Sequence, residues 1–75
     1  MEETLQLLNQ YFLLNNLKLF CEKYELNYEF TRQVLSGKNG RVLTDKFKTT
    51  LLEKIEHYQL RQERVFRELH QLVYK

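Results

Sequence analysis

The chain of 75 residues has no proline, no tryptophan and only two glycines, Gly37 and Gly40. Without proline no position forbids a helix, and the abundance of Leu, Glu, Lys, Gln and Arg favours one. The single cysteine, Cys21, cannot form an internal disulfide, and the absence of a CxxC or a Cys/His cluster implies no structural metal. His57 and His70 stand far apart without ligand spacing. No apolar run approaches the roughly 18–20 residues that span a bilayer. The opening MEETLQLLNQ is acidic at its start and lacks the basic n-region of a signal peptide. There is no glycine-rich phosphate cradle, no HExxH, and no Ser/His/Asp arrangement that so small a helical chain would preorganise. The expectation is a cytoplasmic all-α protein that is not an enzyme, with no cofactor, no metal and no small-molecule substrate.

The length suits one domain, near the lower size at which a single core stabilises a fold. The formal net charge of +2 is too small to announce a partner, but its distribution is uneven. Residues 1–26 carry Lys18 and Lys23 against Glu2, Glu3, Glu22 and Glu25. Residues 27–50 reverse the sign, with Arg32, Lys38, Arg41, Lys46 and Lys48 against Glu29 and Asp45. Residues 51–75 are nearly balanced. The positive excess therefore lies in the middle of the chain, where an acidic partner would be met.

Hydrophobic spacing divides the chain into helices. Leu5, Leu8 and Phe12, with Leu7 and Tyr11, predict a first helix over about 3–13, with Thr4 as its N-cap. Asn15-Asn16 interrupts it, because adjacent asparagines favour turns and caps. Leu17, Phe20, Cys21 and Tyr24 predict a second helix over about 17–24. A tight turn at Glu25-Leu26-Asn27 follows, with Asn27 capping a third helix over about 28–36. Leu26, Phe30, Val34 and Leu35 are expected to face inward there. Gly37 stands where a left-handed residue closes a helix, and GKNGRVL forms a basic loop. From Thr44, an N-cap followed by Asp45 in the first turn, no helix breaker occurs before Tyr74. A helix of about 30 residues would be about 45 Å long. Its apolar positions form a 3-4 repeat through Leu51, Ile55, Tyr58, Gln62, Val65, Leu69 and Leu72, widened by Leu52, Phe66 and Val73. The polar stretch QLRQER, 59–64, is where this helix would bend, break or fold back as a fifth helix.

The run from Phe20 to Gly37, F-C-x-x-x-E-L-N-x-x-F-T-R-x-V-L-S-G, resembles the helix-turn-helix of lambda-repressor-like (XRE/Cro-type) DNA-binding domains. Phe20-Cys21 fall on the family's Leu-Ala, Leu26 on the aliphatic of the turn, Asn27 on the capping Ser, and Gly37 on the terminal glycine. GRVLTDKFKTTLLEKI is similar to the family's fourth helix, and Leu5 to Ile55 is covered. The sequence departs from the family at Glu25, where the turn glycine would stand, and at Thr31, where the recognition helix would bury an aliphatic. The resemblance implies an all-α domain of four to five helices over residues 1–56. The long C-terminal helix would then supply a dimerisation element at 57–75.

A helix fits the major groove and reads base edges with its exposed side chains. The outward residues of the third helix are Asn27, Tyr28, Glu29, Arg32, Gln33 and Ser36, the expected base contacts. Arg32 suits guanine, Gln33 suits adenine, Tyr28 offers a hydroxyl and a ring, and Glu29 accepts from cytosine or orients Arg32. Lys38, Asn39 and Arg41 on the loop, with Lys46, Lys48, Asn16 and Lys18, are expected at phosphates. Tyr58, Gln62, Val65, Phe66, Leu69, Leu72 and Val73 would form the dimer interface. The function expected is a sequence-specific double-stranded DNA-binding transcriptional regulator, a homodimer on an inverted repeat, acting as a repressor or autoregulator of phage or plasmid type. The same residues leave open a helical protein–protein adaptor or inhibitor whose C-terminal helix engages the partner.

Overall fold

A computed structural model describes residues 3–74, apart from the side chain of Asn39. These residues form four α-helices and no strand: α1 (Glu3–Leu14), α2 (Leu17–Lys23), α3 (Tyr28–Ser36) and α4 (Asp45–Val73), with a 3₁₀ turn at Lys38–Gly40. The protein is all-α. It divides into two compact units, Met1–Thr44 and Asp45–Lys75. Among the described residues no helix is long and apolar enough to cross a membrane.

In the first unit α1 and α2 pack on α3. The core consists of Leu8 from α1, Phe20 and Cys21 from α2, and Thr31, Val34 and Leu35 from α3. Phe20 is fully buried, its ring 5.0 Å from that of Phe12 and 5.0 Å from that of Tyr24. Edge and tilted contacts of this kind add to the burial itself. Asn9 joins the first and third helices by a polar route: its Nδ2 donates to the carbonyl of Leu5 at 2.9 Å and to that of Leu35 at 2.9 Å. The Leu35 carbonyl belongs to the last turn of α3, where carbonyls have no partner within the helix.

The turn between α2 and α3 is a Schellman closure. The N–H of Leu26 donates to the Cys21 carbonyl at 2.8 Å, and that of Glu25 to the Glu22 carbonyl at 3.4 Å. This pattern places the residue at C′ in the left-handed region, and Glu25 occupies it with φ 56°. Glu25 thus takes the unusual backbone required of it, and the turn does not shift. Asn27 then caps α3, its Oδ1 accepting from the N–H of Phe30 at 2.8 Å. Its carbonyl accepts both the N–H of Thr31 at 3.0 Å and the Thr31 hydroxyl at 2.8 Å. Gly37 closes α3 with φ 73°, its N–H donating to the Val34 carbonyl.

Two expectations from hydropathy are corrected. Phe30 does not face inward; it is 37% exposed, and Thr31 is buried in its stead. The cap at Asn27 sets the phase of α3, and in that phase 31, 34 and 35 share the inner stripe at i, i+3 and i+4 spacing. The Thr31 hydroxyl donates to the Asn27 carbonyl, so its burial leaves no polar group unpaired. Leu7 is exposed, and Thr4 lies inside the first turn of α1 rather than before it. Burial pushes the Cys21 thiol up from its ordinary pKa, with the Thr31 hydrogen bond pulling the other way.

In the second unit α4 runs unbroken through 59–64. Thr49 and Thr50 direct their hydroxyls to the carbonyls of Asp45 and Lys46, both at 3.0 Å. Exposed pairs Glu63–Arg67 and Arg64–Glu68, each at 3.7 Å, stand at i,i+4 spacing. Such pairs contribute about 0.2–0.5 kcal/mol each. Leu51 is fully buried, whereas every described residue from Gln59 to Tyr74 is exposed.

The two left-handed positions make opposite predictions for unfolding in urea. Glu25→Gly removes strain of about 1–2 kcal/mol against a glycine entropy cost of about 0.5–1 kcal/mol, so the midpoint rises. Gly37→Ala adds strain of about 1–2 kcal/mol, offset in part by the same entropy term of about 0.5–1 kcal/mol, so its midpoint falls. An added Cβ at Gly37 meets nothing within 4 Å, so no steric clash contributes. An unchanged midpoint in either variant would contradict the left-handed assignment.

Candidate nucleic-acid interface

With Thr31, Val34 and Leu35 turned into the core, the opposite face of α3 carries Tyr28, Glu29, Arg32, Gln33 and Ser36 at or near the surface. Phe30 shares that surface. The loop that follows returns Arg41 onto it. The Arg41 guanidinium lies over the Phe30 ring at 5.0 Å, and its Nε donates to Gln33 Oε1 at 3.3 Å. Hydropathy alone could not have found this role for Phe30, since a phenylalanine beside a threonine is ordinarily assigned to the core. The available signal was the cap-to-core spacing of Asn27 and Thr31, which puts Phe30 outside.

Arg32 and Glu29 form a two-point pair. Arg32 Nε donates to Glu29 Oε2 at 3.3 Å, and Nη2 to Oε1. The hydrogen bonds from Arg32 hold the Glu29 carboxyl below the usual glutamate range, aided by a hydrogen bond with Gln33. The same pair raises the Arg32 pKa. Both side chains are exposed, so solvent and salt screen the attraction. Its effect is geometric: the only acid of α3 is neutralised and Arg32 is held in one direction.

The remaining predicted contacts are distributed as follows. Asn27 is exposed but spends its Oδ1 on the cap, which leaves Nδ2 for a ligand. Ser36 donates its hydroxyl to the Gln33 carbonyl at 3.2 Å. Asn16 caps α2, with its side chain accepting from the N–H of Leu19 at 3.1 Å, and Lys18 is exposed in the first turn that follows. Lys38 is exposed on the 3₁₀ turn; the side chain of Asn39 lies outside the described residues. Between Asn27 and Thr44 the sequence carries the cations Arg32, Lys38 and Arg41 and a single acid, Glu29. Lys46 and Lys48 belong to the second unit, where Lys48 lies 3.8 Å from Asp45. On α4, Tyr58 is half-buried, and Gln62, Val65, Phe66, Leu69, Leu72 and Val73 are exposed. Among the described residues no three His, Cys, Asp or Glu side chains gather to hold a metal ion.

Comparison of the chain with protein-family models, with curated proteins and with solved structures finds no match.

The Glu29–Arg32 pair has a defined pH dependence. A depressed carboxyl pKa means that its contribution is complete above the ordinary glutamate range and is lost as pH falls through the lowered native value. In Arg32→Ala, the Glu29 carboxyl resonance is expected to titrate at higher pH than in the native chain. Identical titration in the two proteins would show that the pair does not persist in solution.

Proposed function

We propose that this protein is a sequence-specific double-stranded DNA-binding regulator of lambda-repressor-like helix-turn-helix type, with α3 as its recognition helix. One observation carries the reading. A short helix and a nine-residue helix are joined by a Schellman turn, and the second helix holds its apolar stripe inward while presenting arginine, glutamine and tyrosine outward. Glu25 has a left-handed backbone where the family carries glycine, and Thr31 is buried where it carries an aliphatic. These two agreements support the reading at the positions where the sequence departs from the family.

The mechanism assigns α3 to the major groove, with Tyr28, Arg32 and Gln33 near base edges. Asn16, Lys18, Lys38 and Arg41 take the phosphates, which position the protein without reading sequence. Residues 1–56 form the DNA-binding domain, and the exposed remainder of α4 joins two copies. An exposed stripe of Val65, Phe66, Leu69, Leu72 and Val73 is costly to leave in water. Two copies on an inverted repeat also double the base contacts that one short helix offers. The activity is repression or autoregulation, and the chain performs no catalysis. The same stripe favours a second reading, a helical adaptor that binds a protein partner through α4.

Selection of bound sequences from a random duplex pool, with molar mass measured on the same sample, separates these readings. A two-fold-symmetric consensus and a dimer mass are expected. Affinity for that site should fall by about a thousandfold or more between about 50 and 200 mM salt, as six or more phosphate contacts imply. Leu69→Lys should yield a folded monomer with much weaker operator binding. A protein that ignores duplex DNA at low salt belongs to the adaptor class. A Leu69→Lys protein that stays dimeric and binds equally well removes α4 from the interface.

A further inference from the structure

The outer face of α3 carries two polar pairs, Glu29–Arg32 and Gln33–Arg41. Arg32 grips Glu29 from one side. Gln33 accepts a hydrogen bond from Arg41 Nε on its Oε1, at 3.3 Å. Arg41 is held from below by the Phe30 ring, 5.0 Å from its guanidinium carbon. The amide oxygen of Gln33 is therefore occupied.

A glutamine distinguishes adenine by using both ends at once, accepting from the base N6–H and donating to N7. Gln33 cannot do this while Arg41 holds its Oε1. Arginine, in contrast, has five N–H donors in a planar fork. With Nε committed to Gln33, Arg41 retains its Nη groups as paired donors. A pair of donors in one plane matches the O6 and N7 acceptors of guanine.

Resting on the DNA-binding reading above, we propose that Gln33 is a positioning residue that, with Phe30, fixes the plane of Arg41, and that Arg41 reads guanine at the end of α3. Arg41 is then a specificity-determining contact and not only one of the phosphate-binding cations. Phe30 gains a purpose for its exposure, since its ring supports the guanidinium from the side away from the DNA. Lysine at this position would keep the charge but lose both the fork and the stacking.

The test is selection from a random duplex pool with the full chain and four surface variants: Arg41→Lys, Gln33→Ala, Gln33→Glu, and Arg41→Lys combined with Gln33→Ala. Thermal unfolding of each variant checks that it is folded. The native chain is expected to enrich guanine at one position of each half-site. Discrimination there should fall about 5- to 150-fold, the range for one bidentate base contact, in both Arg41→Lys and Gln33→Ala. The double variant should lose no more than either single one. Gln33→Glu keeps an acceptor for Nε and should retain the guanine preference, even with weaker overall affinity. A consensus adenine that is lost in Gln33→Ala and kept in Arg41→Lys would overturn the proposal, as would a preference unchanged in both. If the native chain enriches no sequence at all, the DNA-binding reading itself fails, and this inference goes with it.

Discussion

The backbone reversal at Glu25 is the constraint on which the first unit depends. The Leu26–Cys21 and Glu25–Glu22 hydrogen bonds close α2 only if the residue between them turns left-handed. A glutamate there carries strain of about 1–2 kcal/mol. Full burial of a single large apolar side chain contributes about 1.5–3 kcal/mol, and Phe20, Val34 and Leu35 are all buried in this unit. Burial wins, and the strained turn is kept. It delivers Asn27 to the start of α3, where the cap determines which residues of that helix meet the core.

From that phase the two faces of α3 acquire different chemistry. The inner face is anchored by packing and by a polar contact that reaches another helix, Asn9 Nδ2 donating to the Leu35 carbonyl. On the outer face the links run within α3 and to the loop beyond it, Arg32 to Glu29 and Arg41 to Gln33. Exposed links of this kind add little to stability. They limit instead the directions in which two guanidinium groups point, which is the property a reader of base edges requires. Preorganised side chains lose less freedom on binding.

The second unit has another logic. α4 has good helix formers throughout and no breaker, so it continues for 29 residues, well beyond Leu51, its buried residue among those described. Its exposed stripe from Val65 to Val73 repeats at helical spacing. A helix with one apolar side needs a cover for it, and a second copy supplies an identical stripe. The proposal that the tail joins two copies rests on this symmetry.

Much of this was legible in the sequence because it follows from local rules. The absence of proline, the Asn15-Asn16 break, the caps at Asn16 and Asn27 and the closing Gly37 depend only on near neighbours. They place all four helices within a residue or two of their observed ends. The Glu29–Arg32 pair was legible for the same reason, being three residues apart on one helix. Hydropathy failed at Phe30 and Thr31, where a threonine enters the core because its hydroxyl finds a partner in the Asn27 carbonyl. The Arg41–Phe30–Gln33 contact was hidden because it spans eight to eleven residues across a loop with two left-handed glycines. Sequence by itself determined the helices and their boundaries, since capping, turns and periodicity are short-range. Tertiary structure alone decided which side of α3 is buried and where Arg41 lies, since both are set by packing across the turn and the loop.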